Sequence, residues 1–80
     1  MEKVIKFLEG KEFKYVALPD GLGYAFETET HNCFVRITGP FEYRVNGTNK
    51  KDFSEWFSCS GLPSQNYVIK EIKEHAIEEA

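Results

Sequence analysis

The chain has 80 residues, which makes one small domain, because a second hydrophobic core would need roughly 50 residues more. A charged fraction of 29% beside a hydrophobic fraction of 41% is that of a globular chain rather than a disordered one. Ten basic against thirteen acidic residues give a net charge of −3, which weighs against general nucleic-acid binding, since that rests on clustered Lys and Arg.

No apolar run is long enough to span a membrane, and Met1-Glu2-Lys3 leads into no apolar signal core. The expectation is a cytoplasmic protein with Cys33 and Cys59 reduced and buried rather than bridged. Seven Phe, four Tyr and one Trp exceed what so small a core holds, so some aromatics are expected on a binding surface.

The opening segment Lys3–Leu8 reads either as a strand or as two helical turns ending at Gly10. A hairpin at Gly10-Lys11 leading into Phe13 favours the strand. Period-two alternation then marks Phe13–Leu18, Tyr24–Thr30, Cys33–Thr38 and Phe41–Asn46 as strands. Turn chemistry separates them at Pro19-Asp20-Gly21, His31-Asn32, Gly39-Pro40 and Asn46-Gly47.

After Gly47 the period changes. Asn49 as N-cap, Asp52 in a first turn and Phe53, Trp56 and Phe57 at i, i+3 and i+4 predict a helix over 49–60, its aromatics packed on the sheet. Gly61 and Pro63 stop it, and Ser64 caps a second helix over 64–79 with Val68, Ile69, Ile72, Ala76 and Ile77 on one face. Glu78 and Glu79 stand at the unfavourable end of its dipole, so its last turn is expected to fray. The fold class is therefore α+β: an antiparallel meander of four or five strands over 1–47, followed by two helices packed on one face. The other face is left to solvent or to a partner.

No catalytic constellation emerges. His31 and Cys33, at i and i+2, could bring an imidazole to a thiol, but no third group orients the histidine, and a histidine beside a buried cysteine is the ordinary outcome. Glu27 and Glu29 share a strand face and suit recognition of a basic protein surface better than acid–base work, which needs a pocket. Asn46-Gly47-Thr48 is read as a turn, and Gly21-Leu22-Gly23 lacks the third glycine of a dinucleotide loop. Nothing asks for a cofactor, a metal or a small-molecule substrate. Sheet aromatics such as Tyr15 and Tyr24 could anchor a protein interface or stack bases. The interleaving of Lys14, Arg36 and Arg44 with Glu12, Glu27, Glu29 and Glu42 favours protein.

Four segments, KVIKFL at 3–8, FKYVAL at 13–18, SEWF at 54–57 and GLP at 61–63 ahead of an amphipathic helix, follow one another in an order that resembles the smallest type I-F anti-CRISPR proteins of bacteriophages. The resemblance implies a four-stranded antiparallel sheet backed by two helices, and steric inhibition without catalysis. Such a protein docks on the backbone subunits of an RNA-guided surveillance complex in the host cytoplasm, touches no nucleic acid itself, and keeps target DNA from pairing with the guide. Phe7 falls where the family's start has a tyrosine, and Glu29 is similar in position to an acidic contact residue. The expected interface is Phe7, Tyr15, Tyr24, Glu27 and Glu29. The alternative is a small nucleic-acid-binding regulator that uses an aromatic sheet face.

Overall fold

A computed structural model describes residues 1–77. A helix α1 (Glu2–Gly10) is followed by strands β1 (Tyr15–Ala17), β2 (Gly23–Glu27), β3 (His31–Thr38), β4 (Glu42–Asn49) and β5 (Glu55–Gly61), and by helix α2 (Gln65–Ala76). The strands form one antiparallel sheet in the order β1-β2-β3-β4-β5, a meander in which every strand pairs with its neighbours in sequence.

The α+β class and the antiparallel sheet are as expected from the sequence; the positions of two elements differ. Lys3–Leu8 is helical, not a strand. Val4 and Leu8 are fully buried and Phe7 packs against the same core, the i, i+3, i+4 face of a helix, whereas a strand would have sent Phe7 to the face opposite Val4 and Leu8. Gln65 of α2 fixes the start of α1, its side-chain oxygen accepting from the Lys3 N–H at 2.9 Å, so a first-turn donor without an intrahelical partner is satisfied from across the fold.

The helix expected over 49–60 is instead a hairpin and a strand. The side-chain oxygen of Asn49 accepts from the Lys51 N–H at 2.8 Å and from the Asp52 N–H, and Asp52 accepts from the Ser54 N–H at 2.9 Å. The Asn49 bonds are those a helix N-cap would also make. The helix is not continued because Phe53 takes a left-handed φ of 61°, Asp52 draws the Ser54 N–H into a local turn and the chain from Glu55 pairs with β4. Beyond the turn, Trp56, Ser58 and Ser60 point to one face and Glu55, Phe57 and Cys59 to the other.

Two turn assignments also move. The β2–β3 turn lies at Thr28–Thr30, with His31 already in β3, and Asn46-Gly47 sits inside β4. Gly47 is needed there for space: a Cβ on it would stand 2.8 Å from Trp56 Nε1 and 2.9 Å from Cys33 Sγ. The helix expected over 64–79 is present as α2; Glu78 and Glu79 lie outside the described residues.

Both helices join one core. Val4 and Leu8 of α1 and Val68, Ile72 and Ala76 of α2 cluster with Phe26, Cys33, Val35, Tyr43 and Val45 of the sheet. Thr30 ties the end of α2 to the β2–β3 turn by donating to the Ala76 carbonyl at 3.1 Å. A hydroxyl has one proton, so the 2.7 Å contact between Thr30 Oγ1 and His31 Nδ1 is then a bond donated by the ring. The opposite face of the sheet carries neither helix.

Candidate functional site

The open face follows from strand alternation and register. Val16, Ala25, Phe34, Asn46 and Phe57 stand opposite one another on successive strands, forming one row across the whole sheet. At the usual spacing of strands this row is about 19 Å long. Val16 is 66% exposed, Phe34 42% and Phe57 75%, so the row is an apolar band open to solvent and interrupted by Asn46. Between Val16, Ala25 and Phe34 the surface dips into a shallow, mostly apolar groove of about 370 Å³ rimmed by Lys14 and Glu27.

Charge of opposite sign flanks the band. On one side the register aligns Arg36, Arg44 and Cys59, and on the other Glu27, Asn32, Thr48 and Glu55. Arg36 is held by Asp20, whose carboxyl lies below its ordinary pKa because the Leu22 N–H and then the guanidinium favour its charged form. Lys50 does the same for Glu27, at 2.5 Å, and its second bond goes to the Thr28 carbonyl. Arg44 is exposed and has no side-chain partner among the described residues.

The five residues expected at an interface do not share a surface. Glu27 is exposed on the open face, and Glu29 is exposed in the β2–β3 turn. Tyr15 and Tyr24 meet each other edge to face at 5.8 Å, half-buried on the helix side of the sheet beside the core. There Glu9 and partial burial raise the Tyr15 hydroxyl above its ordinary pKa, burial being the larger cause. Phe7 lies on α1 against the core, with the Lys73 ammonium 5.6 Å above its ring.

Two residues of the open face went unrecognised in the sequence. Phe57, expected to pack between helix and sheet, is instead among the most exposed aromatics, and Phe34 is 42% exposed. The signal was the alternation of Trp56, Ser58 and Ser60 with Phe57 and Cys59, which helical spacing of Phe53, Trp56 and Phe57 masked. Trp56 alone of those three points inward, stacked on His75 with centroids 4.7 Å apart.

His31 and Cys33 do share the buried face of β3. Burial pushes the Cys33 thiol up to about 12, so at neutral pH it is a protonated, poorly nucleophilic group. Cys59, expected to be buried, is exposed on the open face, and β4 and the thickness of the sheet separate the two thiols. On α2, Glu71, Glu74 and His75 hold their ligand-type atoms within 4.8 Å of one another. They are engaged as ordinary helix pairs, Glu71 with His75 at 3.1 Å and Glu74 with Lys70 at 3.8 Å. Comparison with protein-family models, with curated proteins and with solved structures finds no match for this chain.

Proposed function

We propose that this protein works by protein–protein contact through the open face of its sheet, as a small inhibitor of the kind its sequence resembles. The observation that carries this reading is the apolar band of Val16, Phe34 and Phe57 between a row with Arg36 and Arg44 and a row with Glu27 and Glu55. An apolar centre with a charged rim of both signs is the anatomy of a protein interface, and the two signs fix the partner's orientation. An ordinary interface of about 800 Å² per partner would occupy most of such a face. The resemblance to type I-F anti-CRISPR proteins makes the backbone subunits of a type I surveillance complex the partner, and exclusion of target DNA the mechanism. Competition tests this: purified complex is titrated with the protein before labelled target DNA is added. Loss of DNA binding in proportion to the protein supports the reading, and undiminished DNA binding at saturating protein overturns the inhibitor assignment.

A second reading has its own observation. Phe34 and Phe57 stand on an open sheet with Arg44 in the next row, as in stacking platforms for single strands. Glu27, Glu42 and Glu55 on the same face oppose a phosphate backbone. Binding of single-stranded oligonucleotides that falls steeply with salt would favour this reading over the first.

A further inference from the structure

We propose that β5 is a self-association edge: two copies pair their β5 strands antiparallel about a two-fold axis at Ser58, joining their sheets into one. The two edges of the sheet are treated differently by the sequence. β1 has only three residues and is bracketed by Lys14 and Pro19, devices that blunt an edge against further pairing. β5 has seven residues, with neither Lys nor Pro in it, and Glu55 is its one charge.

The backbone of β5 is set for a partner. The ladder to β4 is bracketed by the Asn49 N–H donating to the Ser54 carbonyl at 2.8 Å and the Leu62 N–H donating to the Phe41 carbonyl at 3.1 Å. Antiparallel alternation then directs the N–H and C=O groups of Trp56, Ser58 and Ser60 to β4. Those of Glu55, Phe57, Cys59 and Gly61 face outward, and no strand lies beyond them among the described residues. Helix α2 covers the inward side chains of this strand, Glu71 meeting Ser58 at 3.2 Å and His75 stacking on Trp56.

The side chains of β5 are complementary to themselves about Ser58. The axis sets Phe57 against Cys59 of the second copy, Trp56 against Ser60 and Glu55 against Gly61, a large residue opposite a small one each time. It keeps the two Glu55 carboxylates apart, and it places the outward-bonding residues opposite one another, as an antiparallel ladder requires. The helices of both copies would cover one side of the joined sheet, and the apolar bands would meet on the other through Phe57.

Sedimentation equilibrium on the full chain, from micromolar to millimolar concentration, tests this. The expected result is a rise from the mass of one chain to that of two. Phe57→Lys combined with Cys59→Lys sets like charges opposite each other at exposed positions, and this variant is expected to stay monomeric with an unchanged circular dichroism spectrum. A second variant reads the register: Phe57→Cys sets a thiol opposite the native Cys59 of the other copy. Mild oxidation should then give a covalent dimer that Cys59→Ser abolishes. A wild-type chain that is monomeric throughout, a dimer indifferent to the two lysines, or a Phe57→Cys variant that forms no covalent dimer would overturn the proposal.

Discussion

Trp56 lies across Gly47 of the neighbouring strand, and the indole fills the space where any other residue would carry its Cβ, 2.8 Å from the ring nitrogen. The same missing side chain leaves room for the Cys33 thiol, so one glycine lets a tryptophan and a cysteine from two flanking strands share the centre of the sheet. Gly47→Ala is expected to destabilise the fold by about 1–3 kcal/mol through overpacking, with a shifted emission of Trp56. Gly10→Ala, where a Cβ meets nothing within 4 Å, is the control and is expected to be neutral or slightly stabilising. Chemical denaturation followed by tryptophan fluorescence measures both.

The two thiols are expected to react differently. Cys59 is exposed, while Cys33 is 1% exposed with its pKa pushed up to about 12. A chromogenic disulfide reagent at neutral pH should modify one thiol per chain in the native state and both in denaturant, with peptide mapping placing the first at Cys59. A raised pKa contributes stability below the unfolded value of 9.0 and loses it as pH climbs toward the folded value, so Cys33→Ala should lessen the alkaline loss of stability.

Acid should unfold the protein through the opposite sign. Glu71 is held below its ordinary value of 4.5, first by the Tyr67 hydroxyl, then by Ser58 and His75, and Asp52 lies below 3.8 through Ser54. Carboxylates depressed in the folded state stabilise it above their unfolded pKa and lose that contribution as pH falls through the folded one. The thermal midpoint should hold down to the mid-4 range and drop below it. In Glu71→Gln the midpoint is expected to be lower at neutral pH and to fall less in acid.

Phe53 occupies the left-handed region, φ 61°, and is 76% exposed. A bulky residue there costs about 1–2 kcal/mol that a glycine does not pay. Phe53→Gly should therefore be neutral or stabilising in thermal melts, because strain relief offsets the added freedom of the unfolded chain, and it leaves the Asn49 and Asp52 side chains to hold the turn.

What was legible in the sequence and what was not separate along one physical line. β2, most of β3 and the first half of β4 follow from alternation, as at Tyr24–Glu27 and Cys33–Ile37, although the turn residues His31-Asn32 and Asn46-Gly47 lie within strands. The stretch Phe53–Phe57 satisfies helical and strand spacing at once, and what decides between them is the left-handed backbone at Phe53 and the Asp52 bond to Ser54, together with pairing to β4. For Lys3–Leu8 the Gly10-Lys11 hairpin signal favours a strand, and the packing of Val4, Phe7 and Leu8 against one core makes the segment a helix. The expected interface suffered from the same cause. Which face of β1 and β2 is open depends on where the helices lie, and that placed Tyr15 and Tyr24 inward while leaving Glu27 outward.

The most direct test of the open face as the contact surface is the binding of purified type I-F surveillance complex to the immobilised protein, compared between wild type and two variants. Phe34→Ser and Arg44→Glu alter exposed positions of the open face outside β5. Each is expected to weaken binding at least about tenfold with little change in thermal midpoint. Binding that is absent in the wild type, or equally tight in both variants, would contradict the account.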